Sequence, residues 1–299
     1  MGTASGAAPA ARASSRDRRE TGEADGCLCG WPRWPAAVAG QFYPADAVEL
    51  RATVRELLAE AAPVPPPRPQ ARPFQYPKAI VVPHAAYRYS GVVAASAYRA
   101  LRPGRGRIKR VVLLGPAHRV PLRSIAGSSA DRWATPLGPV RIDTAARDAL
   151  LHAGLVVLDD MAHEAEHSLE VQLPFIRTVL GQVQVLPLLV GEVVAARVAE
   201  LLETVWGGPE SVAIVSTDLS HYHDHASAQR LDRETATAIC GCDATGVARD
   251  RACGIHALRG LLEAALRHSL AVRLLDLRTS GDTSGDLTRV VGYGAFALG

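Results

Sequence analysis

The chain has 299 residues, 48% of them hydrophobic and 21% charged, with a formal net charge of +3. This is the balance of an ordinary globular protein with a sizeable core, in one large α/β domain or two small ones. So small a charge, with no Arg-rich stretch interleaved with aromatics, argues against a nucleic-acid partner. No apolar run approaches the roughly 18 residues that span a bilayer. Cysteines stand only at 27, 29, 240, 242 and 253, an odd number without the density of a disulfide framework, and no secretory segment follows Met1. Both features point to a soluble protein of a reducing, cytoplasmic compartment.

Residues 1–34 are rich in Ala, Gly, Ser and Arg without apolar periodicity, so a disordered N-terminal extension is expected, followed by one domain over 35–299. Its Asp17, Glu20, Glu23 and Asp25 argue against a transit peptide. From Asp46 to Ala61 the pattern predicts a helix with Val48, Leu50, Val54, Leu57 and Leu58 on one face, stopped by the Pro-rich stretch 63–73. A strand at 79–83, a small-residue helix at 91–101 and a strand at 110–114 then make a βαβ unit. Further apolar runs at 184–190, 212–216, 271–277 and 289–297 read as strands. Helical patterns at 143–154, 168–180, 195–205, 226–239 and 254–267 separate them. The predicted fold is a single α/β domain around a central, mostly parallel sheet with helices on both faces.

Three apolar runs end in histidine-bearing turns: AIVVPHAAYRYSG, VVLLGPAHRVPL and AIVSTDLSHYHDH. Open α/β sheets place their chemistry at the carboxyl ends of such strands, so His84, His118 and the Asp218/His221 pair are expected at one sheet edge. Imidazoles and a carboxylate gathered there suit a transition-metal ion or an acid/base site. A histidine that merely caps its strand is the plainer alternative, but two Gly/Pro turns repeating the same placement favour a site. A cap on the next helix is the plainer alternative for Asp218 or Ser220, and His223 and His225 are expected in solvent.

Cys253 precedes Gly254 and an amphipathic run, which places its thiol beside a helix start, where amides and the helix dipole lower a thiol pKa; a small buried apolar cysteine is the plainer alternative. Cys27-x-Cys29 and Cys240-x-Cys242 lack the partner pair of a structural zinc site. His163-Glu164-Ala165-Glu166-His167 formally satisfies H-E-x-x-H, yet apolar periodicity begins only at Leu169. The segment is therefore expected in a loop and not on a peptidase helix.

The ordered segments AVAGQFYPAD, PHAAYRYSG, LGPAHRVPL, ATPLGPVRID, EHSLEVQLPF, STDLSHY, ACGIH and the tail from TSGDTSGD to RVVGYGAFAL resemble the Memo family, known in bacteria as AmmeMemoRadiSam system protein B. The resemblance implies a fold similar to class III extradiol dioxygenases. It implies one Fe(II) or copper ion held by His84, His118 and Cys253, with Asp218, His221 and His167 lining the pocket in orienting or proton-transfer roles. Two functions follow as expectations: a non-haem metal oxidoreductase, dioxygenase-like, or a non-catalytic metal, redox or peptide-binding adaptor. The family name implies radical-SAM and AMMECR-type partners. Ala86 and Ala117 depart from the family pattern, which usually has Gly at the first position and Ser or Asn at the second.

Overall fold

In the computed structural model, which describes residues 33–61 and 75–299, six long strands carry the sheet: β1 (Ala79–Val82), β2 (Arg110–Pro116), β3 (Gln184–Val190), β4 (Ser211–Ser216), β5 (Val272–Thr279) and β6 (Val290–Leu298). Their spatial order is β3-β2-β4-β1-β6-β5, with the first four parallel and the last two antiparallel. Seven helices of eight residues or more flank it among the described residues: α1 (Ala47–Glu60), α2 (Tyr87–Leu101), α3 (Thr144–His152), α4 (Leu173–Leu180), α5 (Ala195–Val205), α6 (His225–Cys240) and α7 (Ile255–Arg267). The mostly parallel α/β sheet read from the sequence is the one observed. Residues 1–32 and 62–74, with the expected extension and the Cys27/Cys29 pair, lie outside the described residues. The strand Arg33–Trp34 already pairs with Arg132–Trp133, just before the expected domain boundary.

Alternation along the buried strands divides the interior. Ile80, Val82, Val111 and Leu113 face one core with α1, α2 and α4, whereas Ala79, Val81, Val112 and Leu114 face a second with α3, α5, α6 and α7. Each fully buried Val or Leu contributes about 1.5–3 kcal/mol, so two-sided burial of four adjacent strands holds the sheet rigid. No helix among the described residues is long and apolar enough to cross a membrane.

Two helices differ from the reading of their sequences. On α1 the buried face is the Leu50, Val54 and Leu58 row, and Val48, in the first turn, is 78% exposed. Helix α2 begins at Tyr87, four residues earlier than its pattern suggests, because Gly91 is not a breaker. It is a point of close approach, where a Cβ would stand 2.7 Å from Leu57 Cδ1.

β4 lies between β1 and β2. The chain crosses from β1 to β2 with α2 on one face, and from β3 to β4 with α5 on the other. Opposed crossovers open a crevice at the carboxyl ends of the strands they flank, and the three histidine-bearing turns lead into it.

Candidate metal centre

His84 lies two residues beyond β1 and His118 two beyond β2, one on each side of the turn that follows β4. A third imidazole, His167, comes from the loop between the one-turn helix Asp160–His163 and the 3-10 turn Glu170–Gln172. The ligand-capable nitrogens of the three lie within 4.8 Å of one another. Their rings pack edge-on between His84 and each of the others and stack between His118 and His167, with centroids 4.8–5.3 Å apart.

Hydrogen bonds fix the tautomers. Ser216 Oγ has one proton, which it donates to Ser168 O at 2.6 Å, and it accepts from Gln172 Nε2 at 2.9 Å. His84 Nδ1, 3.0 Å from the same oxygen, must therefore be the donor, which leaves Nε2 with its lone pair. His118 Nδ1 faces Glu166 Oε1 at 2.9 Å and donates to it, freeing its Nε2 in the same way. His167 Nδ1 is 3.2 Å from Glu166 Oε1 but off the line a hydrogen bond needs, so this buried nitrogen has no hydrogen-bond partner. Unprotonated ring nitrogens and an orphaned one, gathered at one point, are the donor set a transition metal takes.

Glu166 organises this arrangement. Its buried carboxylate also accepts from the backbone amides of His118, His167 and Ser168. Burial opposes its ionisation, but the bonds and charge of His118 win and hold the carboxyl at about 2. Burial, reinforced by the charge of His118, takes His84 down to about 3, and burial with His84 takes His167 to about 4. Both are neutral imidazoles at physiological pH. Glu170 anchors the wall by binding the Ala37 and Val38 amides and the Tyr43 hydroxyl, which seats Phe42 against the His167 ring at 4.6 Å.

Asp218 is buried and accepts from the His84 amide at 2.8 Å; burial pushes its pKa up against that bond. Cys253 Sγ adjoins the cluster at His84, 3.3 Å from Nε2, and accepts from the Asp218 amide. The expected low thiol pKa is not found. Helix α7 starts two residues later, and burial with the Asp218 charge outweighs the bonds from Thr217 and the Asp218 and Gly254 amides, pushing Cys253 up to about 12. His221, half-buried on the short strand His221–His223, lines the main cavity of about 870 Å³ with the three histidines and Asp218. It also lines a second cavity of about 480 Å³, which Cys253 borders.

His163 is elsewhere. Its helix ends at that residue, and its ring is buried edge-on against Trp133 with Nε2 3.2 Å from Ala126 O, so H-E-x-x-H does not place two ligands on one helix. Asp224, and neither Asp218 nor Ser220, caps α6. His223 is exposed as expected, whereas His225 is half-buried and meets Thr279 Oγ1. Ala86 has φ −56, an ordinary conformation that needs no glycine. Glu166, Gln172 and Ser216 carry the site but were not singled out from the sequence; the first two fall inside the EHSLEVQLPF segment.

A doubly wound sheet with a histidine cluster at its switch point defines a class of α/β proteins with a metal-competent crevice. Residues 34–297 match the family described as Memo-like protein. A MEMO1 family protein of Methanopyrus kandleri is 38% identical over 283 residues, covering 88% of this chain and 97% of its own length. One of Thermotoga maritima is 35% identical, with 86% and 96% covered, and one of Aquifex aeolicus is 34% identical with the same coverage. The chain belongs to the Memo-like protein family.

Proposed function

We propose that the His84, His118 and His167 cluster holds one Fe(II) or copper ion and that the protein is a non-haem metal oxidoreductase with a dioxygenase-like pocket. The observation that carries this reading is the set of three clustered imidazoles, two of them locked by hydrogen bonds at Nδ1. Cys253 belongs in the same reading as a further ligand, since ligand atoms about 2.0–2.3 Å from one ion stand near its 3.3 Å separation from His84 Nε2. A bound ion would supply Lewis acidity and one-electron redox chemistry.

The chain's own residues supply the rest. Glu166 and Ser216 hold the imidazoles in place, Asp218 orients the His84 turn, and His221 at the cavity wall serves as general base for a substrate proton. Metal analysis of protein purified without added metal, followed by oxygen uptake with catechols, tests the proposal. Stoichiometric iron or copper with uptake abolished in His221→Ala is the expected result. No bound transition metal after reconstitution would sink it.

A second reading is favoured by the breadth of the mouth, where Tyr222 is 65% exposed. On it, the pocket keeps the ion but binds a peptide, and the protein acts as an adaptor with radical-SAM and AMMECR-type partners. Metal binding without turnover on any catechol, together with retention of such a partner only by the metal-loaded protein, would favour it over the first.

A further inference from the structure

At the opposite end of the sheet, Lys109, Arg132, Arg141 and Arg177 surround a cleft of about 530 Å³ whose walls hold no acidic side chain. Its floor follows from register. Arg132 pairs with Arg141, Arg141 with Gln184, and Gln184 with Arg110, so these positions form one lateral row on one face across four strands. Arg110 at the end of the row is neutralised by Asp143. Among the described residues, Lys109, Arg132, Arg141 and Arg177 make no ion pair with a carboxylate, and Arg177 donates instead to Gln182 Oε1 and Leu137 O.

Directly opposed like charges on a sheet destabilise it, and with 30 acidic against 33 basic residues the chain does not lack acids to pair with them. Arg presents a planar fork suited to phosphate oxygens, and Lys a compact charge. The cleft volume falls within the range of about 300–1,000 Å³ typical of small-molecule sites. We propose that this cleft is a binding site for a polyphosphate group, remote from the histidine cluster and independent of its chemistry. The ligand is a di- or triphosphate chain, free or carried by a nucleotide. A concave site floored by two adjacent guanidiniums favours a compact polyanion over an extended nucleic-acid strand.

The test is calorimetric titration of the full chain with inorganic tripolyphosphate, ATP and orthophosphate at about 0.1 M salt, where exposed charges are largely screened beyond 10 Å. Tripolyphosphate is expected to bind at least about tenfold more tightly than orthophosphate, and Arg132→Gln/Arg141→Gln to weaken it about tenfold or more. The unfolding midpoint of that variant should hold or rise slightly and its metal content should stay unchanged, which separates this site from the histidine cluster. Equal affinity for ATP would assign recognition to the phosphate chain alone, and tighter ATP binding would assign it to nucleotides; either supports the proposal. Three results would overturn it: no binding at about 1 mM tripolyphosphate, equal weakening in the charge-matched control Arg51→Gln/Arg230→Gln, or tighter binding of a single-stranded oligonucleotide than of tripolyphosphate.

Discussion

The two ends of one sheet solve opposite electrostatic problems. At the carboxyl end, Glu166, Asp218 and Ser216 answer nearly every polar atom of the histidine turns, and burial leaves His84 and His167 neutral. At the amino end, Arg132 and Arg141 stand side by side, with no carboxylate lining their cleft. A preorganised neutral donor set suits a cation, and an uncancelled positive row suits an anion. The difference teaches that the rigid core between them lets each end be tuned separately.

The strongest way to break the contrast is at Glu166. Glu166→Ala leaves a histidine ring and three backbone amides without their acceptor in a buried place, and the expected loss is about 3–5 kcal/mol in urea denaturation. Glu166→Gln should lose less stability but still lower metal affinity. An unchanged midpoint in the alanine variant would show that the carboxylate does not organise the turn. Next is His163, buried neutral in the apolar flank, which separates the crevice from its decoy. It titrates at about 4 in the folded chain against 6.5 in the unfolded one, because burial disfavours its charge. The unfolded state therefore binds the proton first, so the stability held above pH 6.5 falls as pH drops towards 4, by roughly 1.4 kcal/mol per unit. His163→Gln should flatten that slope and leave metal content unaltered, whereas His167→Ala should remove most of the metal.

A smaller effect sharpens the tautomer argument. Ser216→Ala frees His84 Nδ1 from its lock and should weaken metal binding about 10–100-fold, measured by competition with a chelator, and cost about 1–3 kcal/mol of stability because its buried partners lose their hydroxyl. Smallest of all, Arg132→Gln should shift stability by no more than about 0.5 kcal/mol, in the favourable direction if the opposed guanidiniums repel.

The three strand-end turns were legible because each is local: an apolar run, a Pro or Gly, then a histidine. The start of α2 was not, since Gly91 reads as punctuation until Leu57 is seen against it. Nor were Glu166, Gln172 and Ser216, whose importance lies in partners 44–132 residues away, as with Gln172 on Ser216 and Ser216 on His84. The resemblance put His167 on the pocket wall, but that its ring stacks on His118 and meets His84 edge-on depends on a fold the sequence does not show. The basic row was invisible for a related reason, because Arg132, Arg141, Gln184 and Arg110 become neighbours only through strand register.

The contact between His84 and Cys253 spans 169 residues of chain, and that between Val38 and Glu170 spans 132. Loops of that length close late, since their entropy is spent before any distant contact can reward it. The sheet beneath closes over equally distant pairs, such as Val81 with Phe296, so the crevice is expected to form with the assembled sheet and not around an ion. In refolding experiments, metal capture should appear with the slowest phase, and its rate should not rise with metal concentration.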